Sequence, residues 1–128
     1  MNTEELTNEL LKINNYLKKC LWMDFEFAHM DGGKLVVAGR IDTSYNDFAI
    51  NIEFGTPFFV SSLLSWHLDD ATPFIELIEG DALGQLNEKY HIEQGNYLFK
   101  INAEGFDSAP IIIASKSLKC EIINEQPF

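Results

Sequence analysis

The sequence predicts an α+β domain: a largely antiparallel sheet of about seven short strands, one N-terminal amphipathic helix and one short internal helix. Three observations carry this. Leu6, Leu10, Ile13 and Leu17 recur at spacings of four and three, which places them on one helical face. From Leu21 onward the apolar period changes to two in run after run. Short turn signals separate the runs, and brief connections favour antiparallel pairing, because a parallel crossover needs a dozen residues or more. At 128 residues, one domain spanning the whole chain is expected, with a core large enough to need no disulfide or metal.

The helix is expected over residues 3–19. Asn2 or Thr3 caps it, Glu5 stands where a capping box places an acid, and Lys18 and Lys19 lie where the helix dipole favours cations. Leu21, Met23, Phe25 and Phe27 then alternate with Trp22, Asp24, Glu26 and Ala28 as a strand. Asp31-Gly32-Gly33 turns the chain into a returning strand through Leu35, Val37, Gly39 and Ile41. A polar loop over 42–46 leads to a strand through Phe48, Ile50, Ile52 and Phe54. Gly55-Thr56-Pro57 leads to a fourth strand at Phe58-Phe59-Val60.

Residues 74–78 read equally as helix, after the Thr72-Pro73 start signal, or as strand, from their aromatic and β-branched content. Asp81 is expected to cap a short helix reaching Tyr90, with Leu83, Leu86 and Tyr90 on one face. Strands follow through Tyr97, Phe99, Ile101 and Ala103, over Ile111–Ala114, and through Leu118, Cys120 and Ile122. A loop over 105–110 and a turn at Lys116-Ser117 separate them, and the tail after Ile123 frays.

Charge is the strongest functional constraint. Twenty Asp and Glu against nine Lys and Arg leave a net charge of −11. A chain that acidic repels the phosphates of nucleic acids and anionic membrane surfaces, so neither is an expected partner. No apolar run approaches the roughly 20 residues of a membrane span. The acidic N-terminus lacks the pattern of a secretory signal, and the expected location is the cytoplasm. Cys20 and Cys120, with no CxxC spacing, are expected to be reduced. Residues 42–93 carry ten acids against the single Lys89, so nine of the eleven surplus negative charges fall there.

Phosphate-loop, dinucleotide-fold, HExxH, nucleophile-elbow and EF-hand patterns do not occur in the sequence. No catalytic residue, cofactor or metal is assigned. His67 two residues before Asp69, His29 before Asp31 and His91 before Glu93 each pair an imidazole with a carboxylate, the raw material of general acid–base chemistry. Two functions are weighed. One is an acidic protein-interaction module, in its sharpest form an immunity-type inhibitor of a basic toxin or effector, with Trp66 as aromatic anchor and Asp69, Asp70, Glu76, Glu79 and Asp81 as the docking acids. The alternative is a small-molecule binder or small enzyme with its pocket around Trp66, His67, Asp69 and Asp70. Exposed acids favour the first, and convergence of His67 with Asp69 in a concavity favours the second.

Overall fold

A computed structural model describes residues 1–42, 44, 46–106 and 109–126. The expected loops over 42–46 and 105–110 and the expected frayed tail each fall partly outside these residues. Among the described residues the chain forms two helices and nine strands, an α+β fold. Helix α1 spans Thr3–Lys18 and helix α2 spans Gly80–Tyr90. The strands are β1 (Asp24–Met30), β2 (Lys34–Arg40), β3 (Ile50–Gly55), β4 (Phe59–Ser61), β5 (Ser65–His67), β6 (Ile75–Ile78), β7 (Tyr97–Ile101), β8 (Ile111–Ser115) and β9 (Ser117–Ile122).

They build two sheets rather than one, in the orders β5-β1-β2-β3-β9 and β4-β8-β7-β6, with every strand pair antiparallel. Two strands exceed the seven expected. Residues 74–78 resolve toward strand, because Ile75–Ile78 pairs in register with Leu98–Ile101. Three-residue β5 gives no usable periodicity and forms only because it pairs with Asp24–Glu26 of β1.

The sheets are joined at a corner. β3 continues into β4, and β8 into β9, so one antiparallel ribbon passes from sheet to sheet. Gly55 lies opposite Ser117 there, and a Cβ on Gly55 would sit 2.1 Å from the Ser117 hydroxyl oxygen, so a larger residue at 55 forces that hydroxyl to turn away. Between the sheets Phe25, Ile52 and Phe54 from one side meet Phe99, Ile101 and Ile113 from the other. The apolar run Ile111–Ala114 is explained by burial on both faces. Ile111 and Ile113 face the main core, while Ala114 joins Leu98 and Ile92 in a second cluster beneath Leu83, Leu86 and Tyr90 of α2.

Helix α1 begins as expected, with the Asn2 side chain accepting from the Glu5 backbone N–H at 2.8 Å. Leu6, Ile13, Tyr16 and Leu17 are buried, and Leu10 is partly so. The helix spans the gap between the edge strands β9 and β6 and satisfies both. Cys120 of β9 donates its N–H to Glu9 and accepts from the Lys12 ammonium at 2.7 Å. Ile75 of β6 donates to the Asn14 Oδ1 at 3.0 Å and accepts from Asn14 Nδ2 at 2.9 Å. Side chains of one helix thus occupy backbone groups that would otherwise recruit another strand.

Boundaries differ from expectation at several elements: β2 ends at Arg40 rather than Ile41, β3 begins at Ile50 rather than Phe48, β4 runs over Phe59–Ser61 rather than from Phe58, and β7 ends at Ile101 rather than Ala103. The first strand starts at Asp24, leaving Leu21 84% exposed, because only from Asp24 does the chain find partners on both β2 and β5. Helix α2 is capped by Glu79, not Asp81, with no side-chain capping bond, and closes on His91 in the left-handed region at φ 53°.

Cys20 and Cys120 are free and buried. Burial pushes the Cys20 thiol up to about 11 and the Cys120 thiol up to about 12 from an ordinary value of 9.0, and pushes the Tyr16 hydroxyl from 10.0 up to about 12. The unfolded chain releases these protons near pH 9–10 while the fold retains them. The contribution is therefore complete below about pH 9 and is lost as pH rises toward 12. Urea unfolding at pH 7.5, 9 and 10 is expected to show a decline beginning near pH 9, shallower in a Cys20→Ala/Cys120→Ala variant. Stability that is flat to pH 10 in the unsubstituted chain contradicts this.

Candidate functional site

The candidate residues fall on different parts of the molecule. Trp66, in the middle of β5, points inward. It is 4% exposed and packs against Phe25 and Phe27 with ring centroids 5.9 and 5.6 Å away, so it has almost no surface with which to meet a partner. His67, next along the strand, points outward. Its Nδ1 lies 2.5 Å from an Asp24 carboxylate oxygen, and its ring lies against Trp22 at a centroid distance of 4.6 Å. The carboxylate that meets His67 is therefore not Asp69. Asp24 and His67 are direct cross-strand neighbours, whereas Asp69 lies beyond the strand, where its oxygen accepts from the Ala71 N–H.

Asp69 and Asp70 line a different hollow of about 300 Å³ between α1 and residues 68–74, opposite Lys18. Glu76 lies on β6 and accepts from the Asn102 amide at 3.0 Å. Glu79 and Asp81 flank the start of α2. Asp70, Glu76, Glu79 and Asp81 are all exposed, and among the described residues none of them is ion-paired. Tertiary structure also supplies the acidic segment with cations that its own sequence lacks. Lys100 stands opposite Glu76, and Lys119 opposite Glu53.

The other two imidazole–carboxylate pairs have structural roles. His29 Nε2 lies 2.6 Å from Asp31, whose second oxygen accepts from the Gly33 and Lys34 N–H groups at 2.8 and 3.0 Å. Those bonds, the histidine's foremost, lower the Asp31 carboxyl to about 2 and fasten the β1–β2 turn. His91 closes α2 through its backbone N–H to Asn87.

The His67–Asp24 pair borders an open cleft of about 770 Å³. Ser65, Trp66, Leu64, Glu104 and Phe106 contribute to its walls, together with Glu26, which accepts from Arg40 Nε at 2.9 Å. A carboxylate at Nδ1 orients an imidazole and leaves Nε2 to exchange a proton or hydrogen-bond a ligand. No hydroxyl or thiol among the described residues is hydrogen-bonded to His67 as a nucleophile. Nor do three His, Cys, Asp or Glu side chains converge among them to hold a metal ion. No helix among the described residues is long and apolar enough to cross a membrane. Comparison with protein-family models, curated proteins and solved structures finds no match to this chain.

Sequence reasoning missed Asp24, Trp22, Leu64 and Phe106 as companions of His67. Only the pairing of β5 with β1 makes Asp24 its neighbour, and no local spacing signals a pairing across 43 residues.

Proposed function

We propose that the protein is an acidic interaction module that docks a basic protein, acting in the cytoplasm. In its sharpest form it is an inhibitor of the immunity type, covering the positive cleft of a toxin or effector. The observation that carries this reading is the exposure, without ion-pair partners among the described residues, of Asp70, Glu76, Glu79 and Asp81 in a chain of net charge −11. Exposed acids that form no ion pair remain available to an external cation. His67 meets Asp24 rather than Asp69, so the imidazole lies at a different hollow from the Asp69 and Asp70 that the alternative groups with it. With Trp66 in the core, the apolar part of the contact falls to exposed side chains such as Leu64, which is 88% exposed.

The reading is tested by salt-graded capture from lysate of the source cell, followed by stopped-flow kinetics on any basic protein retained. Association is expected to exceed the roughly 10⁵–10⁶ M⁻¹s⁻¹ of uncharged pairs at low salt. It is expected to slow steeply as the Debye length shortens from about 10 Å at 0.1 M salt to about 3 Å at 1 M. The Asp70→Asn/Glu76→Gln/Glu79→Gln/Asp81→Asn variant is expected to slow association more than it speeds dissociation. Recovery of no basic protein at low salt, or an association rate indifferent to both salt and the four substitutions, overturns the proposal.

A further inference from the structure

The outer face of the four-stranded sheet is arranged in rows across the strands. Phe59, Ala114, Leu98 and Ile78 are successive cross-strand neighbours, and α2 covers them. The next row is Ser61, Ile112, Lys100 and Glu76. Helix α2 has only 11 residues, and an open groove of about 740 Å³ lies beside it, lined by Ser61, Ile112 and Lys100 of that row. Leu86, Lys89 and Tyr90 of α2 form one flank, and Phe106, Ala109 and Pro110 form the other.

The charge of this groove is opposite to that of the molecule. Acids outnumber bases 20 to 9 in the chain, yet the charged side chains among the described residues lining the groove are two lysines, with no Asp or Glu. Lys100 is half-buried, and among the described residues its ammonium makes no hydrogen bond or ion pair. Lys89 extends over the Tyr90 ring at 5.2 Å. Glu76 is the cross-strand neighbour of Lys100, but its Oε2 accepts from Asn102 and the two side chains form no ion pair. A partly desolvated ammonium is costly unless an anion compensates it. In a chain with eleven surplus negative charges, a groove whose described lining holds no acid, and whose Lys100 has no ion pair among the described residues, is suited to an anion supplied from outside.

We propose that this groove binds a small anionic amphiphile, with a carboxylate or sulfonate head between Lys89 and Lys100 and an apolar body along Ile112, Leu86, Phe106 and Pro110. Its volume lies within the roughly 300–1,000 Å³ of small-molecule sites. Two ammonium groups select for the negative head, and the apolar walls select against small inorganic anions. Over most of the surface the surplus of acids disfavours anions. The site adjoins one of the acidic docking residues, Glu76 opposite Lys100, but does not depend on the function proposed for them.

Calorimetric titration of the full chain with monomeric dodecanoate, below its micelle concentration, tests the proposal. Dodecyltrimethylammonium serves as the opposite-sign control, and 1-anilinonaphthalene-8-sulfonate fluorescence as a second anionic probe. One saturable site for dodecanoate is expected, with the cation bound at least about tenfold more weakly. The Lys89→Gln/Lys100→Gln variant is expected to lose about tenfold or more in dodecanoate affinity. Ser61→Glu, which adds an acid at the exposed edge of the groove and leaves both lysines in place, is expected to weaken binding several-fold and provides the same readout if the double variant does not fold. Absence of saturable dodecanoate binding, equal affinity for the cation, or affinity unchanged in a folded variant of either kind overturns the proposal.

Discussion

Replacing Phe54 by Ala is expected to lower the unfolding free energy by about 3–5 kcal/mol, the usual cost of truncating a buried Phe. Phe54 is fully buried on β3, and its ring meets Phe99 of the opposite sheet edge-on, with centroids 5.5 Å apart. The substitution therefore opens a cavity at the contact between the sheets and removes an aromatic pair as well. Against a total stability of roughly 5–15 kcal/mol for a typical native protein, such a loss brings the chain near its folding threshold. Urea denaturation measures it, with Phe58→Ala as control. Phe58 is 46% exposed, and its truncation is expected to change stability by no more than about 0.5 kcal/mol. Equal effects at the two positions mean that the sheets are not packed through Phe54 and Phe99.

Asn14→Leu is expected to be the second largest loss, about 2–5 kcal/mol, although it exchanges a polar helix residue for a better helix former. Asn14 accepts from the Ile75 N–H and donates to the Ile75 carbonyl, and Ile75 is 1% exposed. Removing the amide leaves a buried backbone donor and a buried acceptor on an edge strand without partners, at about 1–3 kcal/mol each. Asn14→Asp is expected to recover part of the loss, because a carboxylate still accepts from the N–H but cannot donate to the carbonyl. Neighbouring Asn15 is exposed, and Asn15→Leu is expected to be close to neutral. Hydrogen exchange at the Ile75 amide is expected to accelerate in Asn14→Leu relative to the Asn15 control. An Asn14→Leu protein as stable as the Asn15 variant means that α1 does not hold the edge of β6.

These two residues also separate what was legible in the sequence from what was not. Phe54 stands in an alternating run, Ile50, Ile52, Phe54, and its burial follows from that pattern. Nothing marks Asn14 against Asn15, because its importance is a bond to a backbone 61 residues away. The candidate site divides in the same way. His67 was visible as a group capable of chemistry, but its visible partner was Asp69, two residues on, and its actual partner is Asp24. The long acidic run was visible, yet Lys100 and Lys119, which stand opposite two of its acids, arrive from strands near the other end of the chain.

By itself, the sequence determined what depends on contacts within a few residues. It determined the capped N-terminal helix and its apolar face, the hairpin at Asp31–Gly33, and the alternation of most strands. It also determined the net charge, a sum indifferent to geometry. Tertiary structure alone decided that the strands divide into two sheets at the Gly55 corner, that Ser65–His67 is a strand, and that residues 75–78 extend rather than coil. It alone also placed two lysines beside one groove. The physical reason is that an edge or three-residue strand gains its stability from the ladder it joins. Periodicity records which face of a segment is buried, but not which segment buries it.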